Sequence, residues 1–274
     1  MKLLFRSLAR WPLFLLHLLG AAAGWSAFLL SPTYRRRFLG NVRQAGFRFS
    51  DVRRAVGEAG RMALEIPRLW LGAPVAVNWE GDRLIEEALA VRRGILFLTP
   101  HLGCFEITAR AYAERFGPIT VLYRPHRKAW LRDLAETARR GGHLDTVPAT
   151  LAGVRRMLRV LKDGGVVGLL PDQVPPEGFG AWAPFFGRDA YTMTLPSRLA
   201  LQTGALLLAA WGERLPRGAG YRIHLRPWPD ALARDPAAAA AQVNAGMERL
   251  VRERPEQYLW GYARYKTPRH ETAP

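Results

Sequence analysis

An α/β fold, with a mixed, mostly parallel sheet flanked by helices, is predicted by three observations. Residues 94–100 and 166–170 are compact apolar runs without alternation, the pattern of strands buried on both faces. Between such runs lie stretches whose apolar residues recur at three- and four-residue spacing, so strands and helices take turns along the chain. Ahead of them stands an apolar run at residues 11–30, which sets residues 1–33 apart as an N-terminal membrane-anchoring helix and leaves 34–274 as one α/β domain.

The elements follow in order. Lys2, Arg6 and Arg10 precede the first apolar run and Arg35, Arg36 and Arg37 follow it. A run of about 20 helical residues covers about 30 Å, enough to cross a bilayer. Ala21, Ala22 and Ala23 imitate a cleavage region, but the run continues to Leu30 and meets three arginines, which favours an anchor over a cleaved leader. A helix lying in the interface is the other alternative, and charge at both ends does not separate the two. Residues 34–71 read as helical, with Val52, Val56, Ala59, Met62, Ala63 and Ile66 as the apolar stripe and Pro67 expected to end or kink it. Strands are expected at 75–79, 94–100, 119–123, near 147, and at 166–170, 205–211 and 221–225. Helices are expected at 84–90, 105–116, 129–140, along the stripe Val154, Met157, Leu158 and Leu161, at 196–203, and at 236–252 with Asp235 as its cap.

Composition narrows the function. The 274 residues are 49% hydrophobic and 23% charged, which excludes a disordered chain, and a net charge of +17 points to an anionic partner. Nine tryptophans tilt that partner toward a lipid surface. Basic residues are scattered over many helices without a nucleic-acid-binding signature, so a membrane-tethered nucleic-acid binder is the outside alternative and no nucleic acid is expected. One cysteine, Cys104, excludes an internal disulfide framework and reads as a small buried residue. His126, His143, His224 and His270 show no ligand spacing with His101, so no metal is expected.

Ligands of open α/β sheets collect beyond the carboxyl ends of the strands, where two apolar runs end in Thr99-Pro100-His101 and Pro171-Asp172-Gln173. His101 stands at a strand end with Glu106 five positions on, in the next helix. A carboxylate that fixes an imidazole tautomer leaves the other ring nitrogen free to take a proton, which is base chemistry for a hydroxyl nucleophile.

The sequence His101-x4-Glu106, after an Ile-Leu-Phe-Leu-Thr-Pro strand, resembles the acyltransferase motif of glycerolipid and lipid A acyltransferases. Val121-Leu122-Tyr123-Arg124-Pro125, Arg139-Arg140-Gly141, Leu170-Pro171-Asp172-Gln173, Phe185-Phe186-Gly187-Arg188-Asp189-Ala190-Tyr191-Thr192 and Pro255-Glu256-Gln257-Tyr258-Leu259-Trp260 are similar, in order, to stretches of the late-acting lipid A biosynthesis acyltransferases. The resemblance covers nearly the whole chain. It implies transfer of a fatty acyl chain from acyl carrier protein to a hydroxyl of a Kdo-bearing lipid A precursor. It also implies no cofactor, and a place on the bacterial inner membrane with the active site facing the cytoplasm.

By the same resemblance His101 is the general base and Glu106 orients and stabilises its imidazolium. The oxyanion donors are expected from a backbone N–H near Gly103 or Cys104 or from an arginine, with Arg139, which aligns with a family arginine, ahead of Arg124. Asp172 aligns with a family acidic residue, and a carboxylate that pins a loop or pairs an arginine is an equal reading of it. Gln173 reads as scaffold. One departure concerns Gly261-Tyr262-Ala263-Arg264-Tyr265-Lys266, where alanine stands for one of the family's paired arginines. A glycerolipid or amino-acid-lipid acyltransferase is the alternative within the same chemistry.

Overall fold

A computed structural model describes residues 2–123, 130–132, 134 and 142–269. Its centre is a seven-stranded sheet of order β1-β9-β8-β2-β5-β3-β4. The strands are β1 (Val77–Glu80), β2 (Ile95–Leu98), β3 (Ile119–Tyr123), β4 (Leu144–Pro148), β5 (Val166–Leu169), β8 (Leu206–Arg214) and β9 (Tyr221–Pro227). Only the β8 and β9 pair runs antiparallel, so the sheet is mixed and mostly parallel as expected. β2 and β5 are buried at every position, which is why their sequences are continuous apolar runs.

Helices cover both faces. On one face α5 (Arg54–Leu71), α6 (Arg83–Ala90) and α7 (Phe105–Phe116) enclose a core that includes Ile85, Phe97, Tyr112 and Ile223. On the other, α3 (Pro32–Gln44), α8 (Leu151–Lys162), α9 (Leu195–Thr203) and α10 (Pro236–Glu253) pack around Phe38, Leu98, Met157, Leu169 and Met247. The cap expected at Asp235 is present: its carboxylate accepts the Ala238 N–H at 2.8 Å. Short helices α1 (Lys2–Leu8) and α4 (Phe49–Val52) and the apolar α2 (Leu13–Leu30) complete the N-terminal part.

Two local expectations are corrected. Pro67 does not end its helix, since α5 runs through it to Leu71, with the proline buried in the helix interior. An antiparallel hairpin, β6 (Gly180–Phe185) and β7 (Arg188–Met193), occupies a stretch where no strand was expected. Its turn uses positive φ at Phe186 and Gly187, and Pro184 sits in a two-stranded ribbon where a missing N–H is tolerated, so neither turn nor strand follows the common sequence signals. Within the segment 1–33, α2 packs along α5 over most of its length. The helix expected at 129–140 lies largely outside the described residues.

Topology creates the site. From β2 the chain crosses by α7 to β3, on the far side of β5, whereas from β5 it returns to β8, on the opposite side of β2. The two adjacent strands thus send their exits in opposite directions and open a crevice at their carboxyl ends.

Candidate active site

Parallel register brings the two key residues together. β2 and β5 pair Ile95 with Val166 and Leu98 with Leu169, so each strand leaves the sheet at the same level. Three residues further on, each chain passes a proline and delivers its polar residue: His101 from β2 and Asp172 from β5. His101 Nδ1 lies 2.6 Å from Asp172 Oδ1, and the His101 backbone N–H donates to Asp172 Oδ2 at 2.9 Å. The Tyr258 hydroxyl donates to the same Oδ2 at 3.2 Å.

This geometry corrects the assignment of Glu106. The carboxylate on the His101 ring belongs to Asp172. Glu106 lies in the first turn of α7 and accepts the Trp70 indole N–H at 3.3 Å. The physical reason is register: adjacent parallel strands place their exits side by side, whereas the helix that starts at Phe105 carries Glu106 onto its own face.

Electrostatics fixes the tautomer. Burial pushes the Asp172 carboxyl up, but the neighbouring His101 charge and the two His101 N–H bonds outweigh it and hold the group below its ordinary value. Asp172 therefore stays ionised and accepts the Nδ1–H. Burial and the Asp172 charge push the Tyr258 hydroxyl well up, so it stays protonated and donates. With Nδ1 committed, Nε2 is the basic nitrogen, and the side-chain amide of Gln173, a scaffold residue by sequence, donates to it at 2.9 Å. The Asp172 side chain is 1% exposed against 14% for His101, so the imidazole is the member of the pair that a reactant meets.

The loop from His101 to Cys104 is clamped on both sides. The Leu259 N–H donates to the His101 carbonyl at 3.2 Å, the Gly103 N–H to the Gln257 carbonyl at 3.0 Å, and the Cys104 N–H to the Gly212 carbonyl at 2.8 Å. Gly103 has φ +59°, and a Cβ there would run into the Gly212 carbonyl oxygen, so both conformation and space demand glycine. These bonds engage the Gly103 and Cys104 N–H groups themselves, so neither of the two is free to serve an oxyanion. Arg124 and Arg139 lie outside the described residues. Burial and the nearby Glu65 push the Cys104 thiol well above its ordinary value, which keeps it an inert buried group.

The retained arginine of the C-terminal motif has a structural place. Arg264 is 3% exposed and donates to the Tyr191 carbonyl at 2.7 Å, Thr192 Oγ1 at 2.6 Å and Asn244 Oδ1 at 3.1 Å, tying β7 to α10. Among the described residues no group of three His, Cys, Asp or Glu side chains is arranged to hold a metal ion.

His101 and Glu106 border a cavity of about 1300 Å³. Its wall draws on both faces of the sheet, with Phe97, Tyr112, Ile223 and Leu225 from one and Leu122, Val154, Leu169 and Leu195 from the other. An elongated apolar molecule fits such a space, with its polar end at the imidazole.

The fold and site define an α/β protein that presents an imidazole base, steadied by a buried carboxylate, at the mouth of a large apolar cavity. Residues 47–267 match the family described as bacterial lipid A biosynthesis acyltransferase, and the chain belongs to that family. It is 31% identical over 192 residues to the lipid A biosynthesis lauroyltransferase of Escherichia coli K12, covering 68% of this chain and 61% of that protein. It is 28% identical over 191 residues to the palmitoleoyltransferase of the same organism, covering 69% and 61%, and 26% identical over 194 residues to its myristoyltransferase, covering 67% and 57%. The matches thus span about six-tenths of the length of these relatives.

Proposed function

We propose that the protein transfers a fatty acyl chain from acyl carrier protein to a hydroxyl of a Kdo-bearing lipid A precursor, at the cytoplasmic face of the bacterial inner membrane. The observation that carries the reading is the His101 ring, held by Asp172 on Nδ1 and lining a cavity with room for an acyl chain. The family and the names of the relatives support the acyl-transfer chemistry and the acceptor class. A net charge of +17 suits both a phosphorylated acceptor and an acidic carrier protein.

In this mechanism the acceptor hydroxyl displaces the Gln173 amide from Nε2. His101 removes its proton as the oxygen attacks the thioester carbonyl carbon. That attack forms the ester C–O bond, and collapse of the tetrahedral intermediate re-forms the carbonyl and breaks the C–S bond. The imidazolium then returns its proton to the departing thiolate. Asp172 stabilises the imidazolium while it exists, and Glu106 adds negative charge on the cavity wall. The proposed oxyanion donors are the arginines Arg139 and Arg124. No cofactor or metal takes part.

The test is mass spectrometry of lipid A from cells lacking and then regaining the protein, paired with radiolabelled transfer from acyl carrier protein by the purified protein. The reading predicts one added acyl mass that requires His101. Added mass on a phospholipid or an amino-acid lipid, with none on lipid A, would reassign the acceptor.

A further inference from the structure

Helix α2 has a mean hydropathy of 1.9 over its 18 residues, long and apolar enough to cross a membrane. One of its faces, however, is already occupied. Leu13, Leu16, His17, Gly20, Gly24 and Phe28 are buried against the rest of the protein. The contact with α5 is made backbone to backbone, because Gly20 and Gly24 meet Gly57 and Gly60, and a Cβ on Gly60 would run into the Gly20 carbonyl oxygen. Near one end Phe14 abuts Gly218 in the β8–β9 connection, and near the other Phe28 stacks on Phe49 at 5.7 Å.

A polar tether reinforces this seat. His17 Nε2 lies 3.0 Å from Glu65 Oε2 of α5, and the same oxygen accepts from Arg214 of β8 at 2.8 Å. α5 cannot enter hydrocarbon alongside α2, since its 18 residues include Arg54, Glu58, Arg61, Glu65 and Arg68. Nor can α2 leave alone without stranding His17 and uncovering the buried Glu65.

The opposite face of α2 is largely exposed among the described residues. Phe14, Leu18 and Leu29 are 52%, 64% and 62% exposed, and Trp25 is exposed beside them. Exposed arginines flank the helix, Arg6 and Arg10 before it and Arg36 and Arg37 after it. Apolar side chains in one plane with cations at both ends match an anionic leaflet, acyl chains below and phosphates beside the arginines.

From these contacts we infer that α2 does not cross the bilayer but lies along a single leaflet of anionic lipid, its glycine face seated on α5 and its outer face in the acyl region, with both ends on the same side of the membrane. The inference rests on the membrane location given under the proposed function, and it concerns how the protein sits there rather than what it transfers.

Two measurements test it. Ser7→Cys and Thr33→Cys flank α2, each to be made in a Cys104→Ala background and labelled with a membrane-impermeant maleimide in right-side-out spheroplasts and in inverted inner-membrane vesicles. Labelling of both positions from the same side is expected, and labelling from opposite sides would overturn the inference. The purified full chain should also float with vesicles of phosphatidylethanolamine and phosphatidylglycerol, and Leu18→Glu with Leu29→Glu should cut the floating fraction at least tenfold. Unchanged flotation by that variant, with Leu18→Cys cross-linking between copies, would assign the face to a second copy and overturn the inference. Neither readout depends on catalysis, so loss of the lipid A assignment would leave these results to stand or fall separately.

Discussion

Two buried polar clusters flank the loop from His101 to Cys104, and they use nearly the same side chains. At the strand ends a histidine, a carboxylate and a tyrosine meet as His101, Asp172 and Tyr258. Behind the loop, His17, Glu65 and Tyr221 meet in the same way: Tyr221 donates to Glu65 Oε2 at 3.0 Å, and His17 Nε2 lies 3.0 Å from that oxygen. What separates them is Arg214, which donates to both oxygens of Glu65 at 2.8 and 2.7 Å, to Glu58 at 2.5 Å and to the Gly103 carbonyl at 2.9 Å. The second cluster has its charge neutralised and its geometry closed. In the first, among the described residues, no guanidinium hydrogen-bonds the carboxylate, Arg264 acting on Asp172 only through its charge, and the imidazole lines a cavity. Residue type therefore does not distinguish the proposed catalytic cluster from the structural one, whereas a hydrogen-bonded internal counter-ion in one and an opening in the other do.

The largest expected effect falls on the open cluster. His101→Ala should lower acyl transfer by about 10²- to 10⁴-fold, the range for loss of a general base, while thermal unfolding shifts little, as activity and melting measured on one preparation would check. A large loss of stability with residual activity would place His101 in the structural class instead.

The closed cluster should respond the other way. Glu65→Gln leaves Arg214 short of a counter-ion in a buried site, a change of about 3–5 kcal/mol in stability by urea unfolding, with activity lost only in proportion to unfolded protein. The sign of the pH dependence follows from the same group. Burial pushes Glu65 up, but the Arg214 charge lowers it further, to about 2 from an ordinary 4.5. The unfolded chain binds the extra proton, so this stability is present above about pH 4.5 and is lost as pH falls toward about 2, on the order of 3 kcal/mol in all. Urea midpoints of wild type and Glu65→Gln should converge across that window.

Gly103→Ala comes next, because it disturbs the loop that both clusters hold. The strain of a non-glycine residue at φ +59° and the approach of the Gly212 carbonyl should displace the His101 backbone, costing about 1–3 kcal/mol in stability and more than tenfold in kcat. The smallest effect is at Gln173, whose amide only holds the place of the acceptor hydroxyl. Gln173→Ala should change kcat/KM by a few-fold.

Much of this was legible beforehand. The apolar runs of β2 and β5 are written plainly because both strands are buried on two faces, and α7 and β3 fall within the ranges their periodicity predicts. His101 is marked by its strand end. Its partner was harder to assign because local spacing favours Glu106, while the true contact is set by register between strands 71 residues apart. A signal did exist: the runs leading to His101 and Asp172 each start after a glycine and end through a proline, so equal offsets in paired parallel strands would have named Asp172. Tyr258 and the Arg214 cluster carried no such signal, since their burial depends on packing between distant segments. The hairpin at β6 and β7 escaped because its turn residues, Phe186 and Gly187, are an unusual pair for positive φ.

The central claim is that Asp172, and not Glu106, holds the imidazole of the proposed base, His101, in its basic tautomer. Asp172→Asn and Glu106→Gln, both isosteric, can be compared by kcat/KM for acyl transfer from acyl carrier protein to the lipid A precursor. The account predicts that Asp172→Asn loses at least tenfold more activity than Glu106→Gln, with both proteins folded. Equal or reversed losses would contradict it.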